Sequence, residues 1–65
     1  MENDRVLKHL ANEISKLRTD QVSFLASGRA GDFAEYRHIC GVIRGLTHAE
    51  TIVKDLVQKM EHFDD

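Results

Sequence analysis

Apolar residues recur along this chain in two runs of helical period, separated by a short glycine-bearing break. In the first run Leu7, Leu10, Ile14, Leu17 and Phe24 step by three and four, with Gln21 in the one missing slot. Val6, Ala11 and Leu25 widen the stripe, while Arg5, Lys8, Asn12, Lys16, Thr19 and Ser23 fall on the far side. This spacing marks one face of a helix, not the alternation of a strand, and predicts a helix over residues 3–26. The second run predicts a helix over 32–63. Its heptad holds without a break: Ile39, Val42, Leu46, Ala49, Val53, Leu56, Met60, Phe63. Tyr36, Ile43, Ile52 and Val57 flank it, so the stripe is wider than the two positions in seven of a two-stranded seam.

The break, residues 27–31, reads Ser-Gly-Arg-Ala-Gly. Gly28 is placed to end the first helix in a left-handed conformation, which only glycine adopts without steric cost. Gly31 completes the turn. Asp32 follows as an N-cap, with Glu35 at the capping-box spacing. Stop, loop and start signals in that order predict a sharp reversal, hence an antiparallel αα-hairpin as a single all-α unit over residues 1–65.

A tight turn at 28–31 would set Phe24 near Tyr36, Leu17 near Ile43, Ile14 near Leu46, Leu7 near Val53 and Asn3 near Val57. Met60 and Phe63 would then overhang the start of the first helix by about 10 Å at 1.5 Å per residue. Apolar residues on an uncovered overhang suggest contact with another molecule. Tyr36 at the other end, Ile52, Met60 and Phe63 are therefore the candidate interface residues. Gly41 and Gly45 each cost about 1 kcal/mol relative to alanine inside a helix. Close approach of another backbone there would offset the cost, so both are expected at a close helix packing.

Size sharpens the expectation of a partner. A chain of 65 residues buries too little surface to be comfortably stable without a disulfide, a metal or association. Cys40 is the only cysteine, so no intrachain disulfide can form. A lone thiol also fits a reducing compartment better than secretion. The charged N-terminus lacks a signal-peptide core, and no apolar run approaches the roughly 18–20 residues of a membrane span. A soluble, intracellular protein that hides its broad apolar stripe by self-association, most simply as a dimeric four-helix bundle, is the expectation.

Candidate chemistry adds little. His9 and Glu13 share a helix face, but His38, His48 and His62 lack the i,i+4 pairing that puts two imidazoles on one metal ion. Cys40, at the edge of the apolar stripe, reads as a packing residue. There is no phosphate-cradling glycine loop, and two helices offer no concave pocket. The chain is read as non-enzymatic, with no cofactor and no metal. The charge balance, 9 Lys plus Arg against 11 Asp plus Glu, argues against nucleic acid as the partner. The counter-argument is architectural: plasmid-encoded Rop-type regulators are hairpins of this size that dimerise and bind RNA along an outer face. Arg5, Lys16, Arg37 and Arg44 would have to line such a face here.

One stretch carries a family resemblance. From Asp32 to Leu46 the chain reads Asp-Phe-Ala-Glu-Tyr-Arg-His-Ile-Cys-Gly-Val-Ile-Arg-Gly-Leu. With the preceding glycine turn, it resembles small helical-hairpin accessory proteins of tailed bacteriophages. These have a leading helix, an Asp-aromatic-Ala-Glu-Tyr start, and an Ile/Val-Arg-Gly-Leu segment before an amphipathic tail. The resemblance covers the turn and second helix; the first helix matches in type alone. It implies a phage accessory protein, located in the virion or the host cytoplasm, that contacts a virion protein. The alternative is an early protein that binds or inhibits a host factor. It implies no catalytic residue.

Overall fold

The structure, a computed structural model, describes the backbone of residues 2–63 and the side chains of residues 5–61. It consists of two helices packed against each other, α1 (Glu2–Ala26) and α2 (Phe33–Phe63), with no strand among the described residues. Both helices match the expected spans to within one residue at each shifted boundary. The molecule measures 50 × 14 × 12 Å, close to the length of α2 itself, about 46 Å at 1.5 Å per residue. Its radius of gyration is 15.0 Å, against about 11 Å for a globule of this length. A rod of two helices has no enclosed centre, so burial is confined to the strip where they touch.

The connection follows the local chemistry of its residues. The Ser27 N–H donates to the Ser23 carbonyl at 3.0 Å and the Gly28 N–H to the Leu25 carbonyl at 3.1 Å. The Ser27 hydroxyl closes on the Phe24 carbonyl at 2.7 Å. Gly28 then takes φ +76°, the left-handed stop that the absence of a Cβ permits. At the start of α2 the Glu35 N–H donates to Asp32 Oδ1 at 2.8 Å. Glu35 returns the favour one residue early, its Oε2 accepting the Gly31 N–H at 3.0 Å. This is a capping box displaced by one position, satisfying two backbone donors that the helix cannot.

The register differs from that of a tight hairpin. Arg18 lies 3.6 Å from Glu50 and Lys8 lies 3.3 Å from Glu61. A sharp reversal at 28–31 would have brought Arg18 to position 42 and Lys8 to position 52. The helices are displaced by eight to nine residues, about 12 Å along the axis. The six residues between the helices therefore do not form a compact turn. They run alongside the first turns of α2, where Ala30 is half-buried and Ile39 is buried. As a result Met60 does not overhang; it is half-buried beside the first turns of α1. Phe63, the other residue of the expected overhang, has its side chain outside the described residues. The uncovered extension is at the opposite end, where Phe33 and Tyr36 stand exposed and stacked, ring centroids 6.2 Å apart.

Candidate interaction surface

A wide apolar arc runs along each helix; one edge of it forms the seam of the hairpin, and the other edge is unevenly covered. On α1 the covered positions are Leu7, Ala11, Ile14, Arg18, Gln21 and Leu25; on α2 they are Ile39, Ile43, Leu46, Glu50, Val53 and Val57. Both sets step alternately by three and four, the spacing of a two-helix seam. Half of the heptad expected to face inward on α2, Ile39, Leu46 and Val53, lies in this seam, while Ile43, Glu50 and Val57 take the places expected of Val42, Ala49 and Leu56. Leu56 is 45% exposed, whereas Val57 is 8% exposed. On α1 the same shift leaves Leu10 and Leu17 out and draws Ala11 and Arg18 in.

Polar residues explain the choice of stripe. Glu50 is buried and sits between Arg18 (3.6 Å) and Lys54 (3.5 Å), and the Arg18 guanidinium also reaches the Ser15 hydroxyl at 3.5 Å. Burial pushes the Glu50 carboxyl up. The Ser15 hydroxyl and the Arg18 and Lys54 charges outweigh it, holding the group below the usual carboxylate range. Arg18 Nε and Glu50 Oε2 nevertheless lack a hydrogen-bond partner, so the pair is an ion contact with imperfect geometry. Such a pair fixes which residues face each other more than it adds stability. Sequence reasoning missed it; the signal was an acid and an arginine lying on apolar stripes of opposite helices.

The stripes beside the seam share one face, on which Leu10, Leu17 and Leu56 are exposed and Phe24, Val42 and Ala49 half-buried. Leu10, Leu17 and Phe24 precede the seam positions Ala11, Arg18 and Leu25 by one residue each. Val42, Ala49 and Leu56 likewise precede Ile43, Glu50 and Val57. Because the helices are antiparallel, the same offset turns both stripes to the same side of the hairpin. With Arg18 level with Glu50, they form three rungs about 10 Å apart: Leu10 with Leu56, Leu17 with Ala49, and Phe24 with Val42. Val6 extends this face toward the termini, and Ile52, 67% exposed, borders it.

The remaining candidates are scattered. Tyr36 is exposed on the other side of α2, apart from Ile52, and with Phe33, Arg37, Cys40, Gly41 and Arg44 it lines a shallow concavity of about 350 Å³. Gly41 and Gly45 do not mark a close packing within the hairpin, since a Cβ built on either would meet nothing within 4 Å. The register explains this: both point away from α1. Arg5 and Lys16 lie on the outer flank of α1, Arg37 and Arg44 on the outer flank of α2, so the four basic residues do not form one stripe. His9 lies 3.7 Å from Glu13, and among the described residues no three His, Cys, Asp or Glu side chains are grouped to hold a metal. Among those residues no helix is long and apolar enough to cross a membrane. Comparison with protein-family models, curated proteins and solved structures returns no match.

Proposed function

We propose that this protein acts without catalysis, by stoichiometric helix–helix contact, as a self-associating accessory protein of a tailed phage. The observation that supports contact is the apolar face beside the seam, where Leu10, Leu17 and Leu56 are exposed and Phe24, Val42 and Ala49 half-buried, in a hairpin whose covered strip is the more polar of the two. Exposed apolar surface of this continuity marks interaction sites. Association into a four-helix bundle would cover it. The phage setting rests on the resemblance of Asp32–Leu46 alone, and within it a virion- or assembly-associated role is the reading we adopt. Mass spectrometry of purified particles tests it. The expected result is the intact chain at a copy number tied to capsid or connector symmetry, and its absence from particles would remove the virion role.

A second reading, an early protein that binds a host factor, is favoured by a separate feature. The Phe33–Tyr36 stack with Arg37 and Arg44 is an aromatic and cationic patch away from the apolar face, the composition enriched in interface anchors. On this reading, tagged protein expressed in host cells retains one stoichiometric partner, and Phe33→Ala with Arg37→Ala releases it. Retention by the double variant would count against the patch.

A further inference from the structure

We propose that the face carrying the rungs Leu10/Leu56, Leu17/Ala49 and Phe24/Val42 is covered by a second copy of this chain. This deepens the contact reading above, on which it rests, by naming the surface and its occupant.

The lone rod exposes an interface-sized surplus of surface over a compact chain of its mass. The chain exposes 5155 Å², whereas a compact monomer of its 7.4 kDa exposes about 4200 Å². The surplus, about 950 Å², is close to the ~800 Å² that each partner gives to a standard interface. The face also has the form of a helical seam. Its apolar positions recur every seven residues on both helices, the repeat that accepts knobs from helices of the same pitch. A second hairpin offers that repeat at the same spacing along the rod, so three rungs meet three rungs. A single helix laid between the two stripes would cover less of this surplus than a second hairpin does.

Charge agrees with this assignment. None of the six rung residues is charged, and the described ion pairs, Lys8–Glu61, His9–Glu13, Lys16–Glu13, Arg18–Glu50 and Lys54–Glu50, all involve residues off the rungs. Docking two such faces desolvates no rung charge, the term that most often makes like-on-like contact unfavourable. The inner seam and the outer face then become the two walls of one core, which supplies the apolar volume that 65 residues lack alone.

Native mass spectrometry on the wild type and three variants tests this. The wild type is expected at twice 7.4 kDa. Leu17→Glu places a charge at the middle rung and is expected at the monomer mass. Phe33→Glu alters the rival exposed patch and is expected to stay dimeric. Leu17→Ala keeps a strong helix former at a site 54% exposed in the hairpin, so it spares the monomer and is expected to weaken the dimer about tenfold or more. Should Leu17→Glu fail to fold, Leu17→Ala decides: unchanged dimer affinity overturns the proposal. A dimeric Leu17→Glu, or dissociation by Phe33→Glu, would place the contact elsewhere while leaving self-association intact. A monomeric wild type, with a Tm that does not rise by about 5 °C per tenfold in concentration, would sink both this assignment and self-association.

Discussion

The strip between the helices and the face beside it invite comparison, because the covered one is the less apolar. In the strip lie Ala11, Arg18, Gln21 and Glu50 among aliphatic residues; on the face beside it lie exposed Leu10, Leu17 and Leu56 and half-buried Phe24, Val42 and Ala49. A lone hairpin ruled by burial alone would have turned the second set inward, at about 25 cal/mol per Å² of apolar area. The difference is intelligible if neither stripe is meant to face water. In a four-helix bundle the outer face becomes the dry centre. The strip within each hairpin becomes a flank, where Arg18 and Glu50 can set register with partial access to solvent.

The comparison can be broken most sharply by matched truncations. Ile39, 6% exposed, is expected to cost about 2–4 kcal/mol as Ile39→Ala, lowering Tm by roughly 10 °C or more. Leu56→Ala on the outer face is expected to leave the stability of the dilute monomer within about 0.5 kcal/mol of wild type. Thermal melts below the dimerisation range measure both. Equal losses would erase the distinction between strip and face.

Next in size is the ion pair. Arg18→Met and Glu50→Leu are each expected to lower Tm, since the first leaves buried Glu50 with Lys54 alone and the second leaves Arg18 without its carboxylate. The double variant is expected to recover wild-type stability or exceed it. A double variant no better than the worse single one would show that the pair stabilises the fold outright.

Glycine substitutions sharpen the register. Gly41→Ala is expected to add about 1 kcal/mol, because open space surrounds the new methyl and alanine is the stronger helix former. Gly28→Ala, at φ +76°, is expected to lose about 1 kcal/mol. Urea melts resolve both, and a destabilised Gly41→Ala would indicate a backbone close to that position in the assembled state.

The smallest effect is the pH response of Glu50. Its carboxyl is held below the usual range in the folded chain. The stabilisation it supplies is therefore complete above the ordinary value of about 4.3 and lost as pH falls through the lower folded value. The gap in Tm between wild type and Glu50→Gln is expected to be constant near neutrality and to narrow below about pH 4. A gap that narrows instead between pH 6 and 8 would mean that another group governs it.

Much of this fold was legible from the chain. Gly28, by lacking a Cβ, and Asp32 and Glu35, by their carboxylates, occupy the stop and start positions they favour, and these signals are local, so neighbours could not override them. The register was not legible, because the same signals fit either a compact turn or a segment that climbs along α2 past Ile39. Nor was one edge of the inward stripe, although Leu7, Ile14, Ile39, Leu46 and Val53 lie in the seam as expected. Periodicity reports that a helix has a wide apolar arc and is blind to which edge of it meets the neighbouring helix. Two polar residues, Arg18 and Glu50, resolve that choice, and each alone reads as an interruption of its stripe. Within the hairpin no backbone approaches Gly41 or Gly45, since the face on which they lie depends on which arc turns inward.

Sedimentation equilibrium of the wild-type chain from about 1 to 100 μM bears most directly on whether a second copy covers the outer face. Micromolar association corresponds to about −8 kcal/mol, within reach of an interface of standard size. The expected result is a mass that climbs with concentration toward twice 7.4 kDa. A single species of 7.4 kDa throughout, with helical structure intact, would contradict it.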